Sequence, residues 1–264
     1  MKILITGGAG FIGSNFILNF IDNHQILNYD LITYAGSNNN LDSIIDHKNY
    51  TFQKGDIRDY VLLDQVISDF YPDSIINFAA ESHVDRSIDG PKVFIETNIL
   101  GTYELLNSSL KYFKSLNDSK KETFKLIHIS TDEVYGSLGQ EGKFSESTPY
   151  SPSSPYSASK ASSDHLVKAW HHTYNLPTIV TNCSNNYGPY QFPEKLIPLI
   201  LTNCLSNKEL PIYGDGLNVR DWIYVDDHCR GVFEVLCNGK IGETYNIGGN
   251  QELTNIELVK KICD

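Results

Sequence analysis

Short apolar runs alternate with longer stretches of helical period over the first two thirds of the chain. Residues 2–6 form a compact apolar strand, and a helical stripe follows to about Ile21. The next strand is predicted over 28–33, inside the run from Ile26 to Thr33. Residues 50–54 make a third strand, 59–70 an amphipathic helix and 74–78 a fourth strand. A long helix is predicted over 91–113, then a polar loop over 114–123 and a fifth strand over 125–129. Ser154 is a good N-cap and Pro155 suits the first helical position, so a helix is expected from 155 to about 174. A sixth strand spans 177–183. Strands rich in branched residues on both faces belong to parallel sheets. Their strict alternation with helices predicts an α/β fold, a doubly wound parallel sheet of the NAD-binding Rossmann type.

After Cys183 the pattern changes. Turn residues accumulate at Phe192-Pro193-Glu194, Pro198, Pro211 and Gly214-Asp215-Gly216. A strand is expected over 222–225 with Asp226-Asp227-His228 capping the helix after it. Another strand lies within 242–249, and Thr254 caps a final helix with Ile256, Val259 and Ile262 on one stripe. The expected division is an NAD-binding domain over 1–186, with sheet elements around 221–247 returning to it. A smaller C-terminal substrate lobe is expected over 187–264.

Composition narrows the function. The 264 residues are 41% hydrophobic and 20% charged with a net charge of −11, an ordinary globular balance. Nucleic-acid partners are not expected, because their footprint is basic. Five cysteines, an odd number without a CxxC pair, read as reduced thiols in a cytoplasmic compartment. No zinc-type spacing occurs, and His171 and His172 diverge on a helix, so no metal is expected. The chain enters its first strand without a charged-then-apolar leader, and no apolar run reaches membrane-span length. No membrane partner is expected.

Candidate chemistry gathers at the strand ends, where ligands of parallel sheets sit. Gly7, Gly10 and Gly13 follow the first strand and open a helix. That context suits a tight turn, close approach of backbone to a pyrophosphate and close helix packing. Asp30 stands at the distance of an acid that meets ribose hydroxyls, which favours NAD over NADP. Asp56 is a candidate for the adenine edge or a simple loop acid. Small residues at 79 and 80 let a cofactor lie against a strand end. The fifth strand runs into Ser130-Thr131-Asp132-Glu133, either a helix cap or a reactive cluster. Tyr156 and Lys160 are four apart on one helix. A lysine ammonium beside a phenol favours the phenolate, which can then take a proton from a sugar hydroxyl. Tyr50 and Lys54 share that spacing on a strand, so position, not spacing, distinguishes Tyr156. In the later region Lys195, Tyr213 and Arg220 stand out. Arg220 either clamps a diphosphate or pairs with Asp221 or Asp215; Tyr213 either stacks on a base or packs in the core.

Taken together, the glycine loop, Asp30, Ser130-Thr131, Tyr156 and Lys160 resemble the extended short-chain dehydrogenase/reductase family. Within it, residues 79–87, 128–136, 156–160, 181–196 and 220–222 resemble the dTDP-glucose 4,6-dehydratase branch. The resemblance implies NAD as cofactor, a sugar-nucleotide substrate (dTDP-glucose, with UDP-glucose as the alternative) and a place in deoxysugar biosynthesis such as that of rhamnose. It implies that Tyr156, Lys160 and Thr131 serve oxidation at C4, that Glu133 removes the C5 proton and that Asp132 protonates the departing C6 hydroxyl. The Asp-Glu pair speaks against a 4-epimerase, and intact catalytic positions speak against a non-catalytic NAD-binding protein. Cofactor positions implied are Gly7, Gly10, Phe11, Ile12, Gly13, Asp30, Asp56, Ile57, Ala80, Ser82, Thr97, Tyr156, Lys160 and Asn186. Substrate positions implied are Ser82, Thr131, Asn185, Lys195, Leu196, Tyr213, Arg220 and Asn255. The resemblance also implies a homodimer through the helices starting near Pro91 and Pro155, and a further basic C-terminal segment. The substrate lobe is therefore expected to be C-terminally shortened here.

Overall fold

Parallel pairing organises the chain. In a computed structural model, which describes residues 1–138, 142–212 and 214–263, seven strands form one parallel sheet. They are β1 (Lys2–Thr6), β2 (Gln25–Asp30), β3 (Tyr50–Lys54), β4 (Ser74–Asn77), β5 (Lys125–Thr131), β6 (Thr178–Cys183) and, later in the chain, β9 (Thr244–Ile247). Their order is β3-β2-β1-β4-β5-β6-β9, so the sheet grows outward in both directions from the β1–β4 pair. Between β6 and β9 come β7 (Asn185–Tyr187) and β8 (Val219–Tyr224). With β10 (Glu252–Thr254) these make a separate three-stranded sheet, β10-β8-β7.

Among the described residues ten α-helices accompany the sheets: α1 (Phe11–Phe20), α2 (Tyr60–Phe70), α3 (Val84–Asp89), α4 (Pro91–Phe94), α5 (Thr102–Ser115), α6 (Asp118–Thr123), α7 (Pro155–Tyr174), α8 (Leu196–Leu205), α9 (Val225–Asn238) and α10 (Asn255–Cys263). The alternation of side chains along each strand sorts them into layers. Ile3 and Ile5 of β1 pack in one cluster with Phe16 and Ile17 of α1 and Val232 of α9. Leu4 packs in the other with Leu63 of α2, Leu105 of α5 and Val167 of α7. Each fully buried Leu or Ile contributes roughly 1.5–3 kcal/mol, which fixes strand register firmly.

Several sequence expectations shift for identifiable reasons. β2 begins and ends three residues earlier than predicted, because its register pairs Lys2 with Gln25 through Thr6 with Tyr29. Asp30 thereby becomes its last residue, and Ile32 turns into the left-handed region (φ 58°). The predicted 91–113 helix is broken by a π-helical segment, Ile95–Gly101. Residues 118–123, expected as loop, form α6 under an Asn117 cap. β8 starts at Val219 and lies in the small sheet, so of the later strands only β9 joins the main one. Asp226 and Asp227 sit inside the first turn of α9, and Tyr224 takes the cap position. Acids there still complement the helix dipole. The Thr254 cap is as expected: its hydroxyl accepts from the Glu257 amide, and the Glu257 carboxylate accepts from the Thr254 amide.

Candidate active site

The β1–α1 turn is built by backbone crowding. Gly7 has φ +74°, and a Cβ there would lie 2.4 Å from the Ala79 amide nitrogen. A Cβ on Gly13 would lie 2.4 Å from the Gly7 carbonyl oxygen. Gly8, which sequence reasoning left unassigned, is equally constrained, with Asn28 Oδ1 at 2.4 Å from such a Cβ. Gly10 differs: its nearest neighbour would be Gly7 O at 3.4 Å. Its side of the loop is open to an approaching group. The first amides of α1, at Phe11, Ile12 and Gly13, have no side-chain cap at Gly10. An uncapped helix start of this kind is a ready anion site.

Asp30 closes the other side of this cradle. Its Oδ2 accepts from the Ala9 amide at 2.8 Å and its Oδ1 from the Ile32 amide at 2.7 Å. Each oxygen keeps a further lone pair for a ribose hydroxyl. The glycine turn, uncapped amides and buried acid therefore fit NAD. Asp56 is committed within the protein: its carboxylate forms a forked pair with Arg58, N–O 2.6 Å, and also accepts the Arg58 amide. Ile57 is buried against Gly101. Ala80 and Ser82 follow β4, and half-buried Thr97 lies in the π-helical segment.

Its neighbour Asn98 is the residue sequence reasoning undervalued. Fully buried, it accepts from the Glu81 amide (2.8 Å) and donates to the Glu81 carbonyl (3.0 Å) and to Ser159 Oγ (2.8 Å). It staples the post-β4 loop to α7. The extra residue per turn of a π-helix aims it there. Asn186 is also buried, with its amide group spent on Ser184 O and His228 Nδ1.

The reactive cluster sits at the carboxyl end of β5. The strand continues through Thr131, whose hydroxyl accepts from the Glu133 amide at 3.2 Å and donates to Asp132 at 3.3 Å. Thr131-Asp132-Glu133 is thus a cap that also presents a hydroxyl and two carboxylates at the strand end. Tyr156 and Lys160, both buried, approach from the first turns of α7. Lys160 Nζ donates to the Ile129 carbonyl at 2.8 Å. Burial first, then the Glu133 charge, push the Tyr156 phenol well above its usual range; a hydrogen bond with Thr131 opposes them. The expected lowering of this phenol by Lys160 is therefore outweighed within the protein's own field, because burial and the Glu133 charge act on the phenol while the ammonium is hydrogen-bonded to Ile129 O.

The two acids differ in surroundings. Burial, then the adjacent Glu133 charge, raise Asp132 to about 6. Burial also raises Glu133, but Arg220 and Lys195 both pull it back. Arg220 does not pair as one alternative supposed. The Asp221 carboxylate accepts the Gly249 and Gln251 amides, Asp215 accepts the Leu217 amide, and Arg220 donates to Val219 O. Its charge is left to act on the two acids. Lys195 Nζ donates to Ser82 O at 3.0 Å, bringing those two predicted positions together. A cluster not foreseen holds the Lys195 loop: Arg86 pairs with Glu194 at 2.9 Å and lies 3.8 Å over the Tyr34 ring, which meets Phe192 edge-on. Asn185 opens β7, Leu196 opens α8 and Asn255 opens α10, where its buried Oδ1 has no hydrogen-bond partner among the described residues. Tyr213 lies outside the described residues.

This arrangement has close counterparts. The family described as GDP-mannose 4,6 dehydratase matches residues 4–264. A dTDP-glucose 4,6-dehydratase of Xanthomonas campestris is 56% identical over 261 residues, which is 98% of this chain and 74% of that protein. The crystal structure of the Bacillus anthracis dTDP-glucose 4,6-dehydratase in complex with NAD is 54% identical, with a TM-score of 0.89 over 99% of this chain and 80% of that one. The Streptomyces venezuelae dTDP-glucose 4,6-dehydratase, also solved with NAD, is 48% identical, with a TM-score of 0.93 and the same shares covered. With a nucleotide turn, an acid pair and a tyrosine-lysine helix in place, and with relatives of this identity, the chain belongs to the extended short-chain dehydrogenase/reductase family, in its dTDP-glucose 4,6-dehydratase branch.

Proposed function

We propose that this protein is an NAD-dependent hydro-lyase that converts dTDP-glucose to dTDP-4-keto-6-deoxyglucose and water. NAD, when bound, supplies the hydride acceptor for C4, the later hydride donor for C6, and in its oxidised form a positive charge at the site. The glycine turn, the α1 amides and Asp30 hold it. Tyr156 takes the proton of the C4 hydroxyl, and Thr131 holds that hydroxyl in place. A positive charge supplied at the site offsets the acids that otherwise keep the phenol protonated. Once C4 is a ketone, the C5 proton is acidic. Glu133, on which Arg220 and Lys195 favour the carboxylate form against burial, removes it and returns a proton to C5 when C6 is reduced. Asp132, whose pKa of about 6 lets it carry a proton near neutral pH, gives that proton to the leaving C6 oxygen. Lys195, Arg220, Asn185, Leu196 and Asn255 hold the nucleotide side of the substrate.

The observation that carries this reading is the adjacent, buried acid pair Asp132 and Glu133 beside Tyr156, with Arg220 and Lys195 acting on it. An epimerase needs no base-and-acid pair beside the oxidation site, whereas β-elimination needs one of each. Incubation with dTDP-glucose and with UDP-glucose, followed by the alkali-induced absorbance of a 4-keto sugar, tests it. Product from dTDP-glucose is expected; product from neither substrate overturns the reading. Tyr156→Phe is expected to suppress NADH formation in a single turnover, and near-wild-type formation would show that another group is the base.

The working division is an NAD-binding part over 1–186 joined by β9, with 187–264 carrying the substrate. No helix among the described residues is long and apolar enough to cross a membrane; we place the enzyme in the cytoplasm. We also infer a homodimer through the α4–α5 and α7 faces. Val93, Ile95, Leu100, Tyr103 and Tyr174 are exposed along these elements, and exposed apolar side chains gathered on one face mark interaction surfaces. A monomer by light scattering would refute this.

A further inference from the structure

Beneath the reactive cluster lies a carboxylate that none of these steps uses. Asp164 stands on α7, one turn beyond Lys160, and is 0% exposed. Its Oδ2 accepts from Ser130 Oγ at 2.8 Å and from the Tyr150 hydroxyl at 3.0 Å. Its Oδ1 has no hydrogen-bond partner among the described residues and lies 3.4 Å from His128 Nε2. The neighbouring bonds settle how His128 faces it. Asn77 Oδ1 accepts the Thr6 hydroxyl at 2.6 Å, so Asn77 Nδ2 is the donor to His128 Nδ1 at 3.0 Å. Burial pushes this imidazole down from its usual range. It is therefore neutral, with its one proton on Nε2, and it gives Asp164 no full positive charge.

A buried carboxylate without a cation is costly. Two cations face Asp164. Lys168, one turn on, reaches it only through the Tyr150 hydroxyl at 3.4 Å. Lys160, one turn back, is itself 4% exposed, and its ammonium donates to a neutral carbonyl, Ile129 O. The remaining titratable neighbours are Tyr135 and Tyr150 beside Asp164 and Cys183 beside Lys160. We propose that Asp164 is a positioning residue for the oxidation step: its buried carboxylate is the counter-charge that keeps Lys160 protonated, and through Lys160 it sets the charge against which Tyr156 gives and takes its proton. The inference rests on the proposed roles of Tyr156 and Lys160 in the oxidation. Burial pushes Lys160 down, and the Asp164 charge is the foremost influence holding it up. Ser130 and Tyr150 fix the carboxylate at a point closed to solvent.

Asp164→Asn keeps the shape and most of the hydrogen bonds but removes the charge. The test compares kcat and KM for 4-keto-sugar formation from dTDP-glucose, across pH, in the NAD-loaded wild type and this variant. Lys160 then loses its proton at lower pH, so the alkaline limb of the kcat profile should move down by about one pH unit or more. Near neutral pH kcat should fall about tenfold or more, with KM little changed. Tyr150→Phe, which removes one bond to the carboxylate, should move the same limb in the same direction by less. A merely structural role would lower Tm and leave both limbs where they are. An alkaline limb coincident with wild type in Asp164→Asn overturns the inference. Should that variant fail to fold, an unmoved limb in Tyr150→Phe overturns it instead. A wild type that makes no 4-keto sugar would overturn the functional reading, and this inference with it.

Discussion

Asp30 and Asp132 stand at equivalent places, each at the carboxyl end of a strand of the same parallel sheet. Burial raises the pKa of both. The chain just beyond each strand makes them different. Asp30 turns back onto two backbone amides, which favour its charged form and fix both oxygens. Asp132 has the Thr131 hydroxyl and, next to it, a second carboxylate that disfavours its charge. An acid clasped by backbone amides is a fixed anion, suited to holding hydroxyl groups. An acid with a like-charged neighbour and no amide is titratable near neutral pH, suited to giving a proton. One residue type is thus suited to binding at one strand end and to proton transfer at another.

The sharpest way to break the contrast is on the titratable side. Glu133→Gln should lower overall turnover by roughly 10²- to 10⁴-fold, the usual worth of a general base. NADH should still form from dTDP-glucose in a single turnover. Loss of that absorbance as well would place Glu133 in the oxidation step. A smaller effect is expected on the fixed side. Asp30→Asn offers only one acceptor oxygen where two amides and a ribose need them, costing roughly 1.5–3 kcal/mol. NAD affinity by titration should fall about ten- to a hundredfold, while turnover at saturating NAD stays near wild type. An unchanged affinity would show that the ribose is held elsewhere.

The smallest effect concerns stability. Raising Asp132 from 3.8 to about 6 means that ionising it opposes folding. The opposition is absent below pH ~4, grows through the window up to about 6 and is complete above it. Asp132→Asn should therefore stabilise the protein by about 1–2 kcal/mol at pH 7, allowing for partial solvent screening, with turnover largely lost. The gain in Tm should shrink as pH falls from 6 to 4. A gain independent of pH would remove the titration argument.

Much of the fold was legible in the sequence. The periodic segments 2–6, 50–54 and 155–174 fold as their patterns predict, because hydrophobic period, cap and proline agree there. Local signals failed where distant contacts decided. The β2 register follows its pairing with β1, and the 91–113 helix yields to a π-turn that aims Asn98 at Glu81 and Ser159. Arg220 next to Asp221 has the pattern of an ion pair, but the amides of Gly249 and Gln251, far along the chain, claim that carboxylate.

The sequence by itself determined the layers, the cofactor turn and the set of reactive residues. Those depend on side-chain period, glycine sterics and spacing within single elements, which are properties of neighbouring residues. Only the tertiary structure decided that burial raises both adjacent acids, which cations are free to act on them, and that Asp164 lies buried one turn beyond Lys160. Charge states answer to burial and to partners brought from remote parts of the chain, and no local pattern records either.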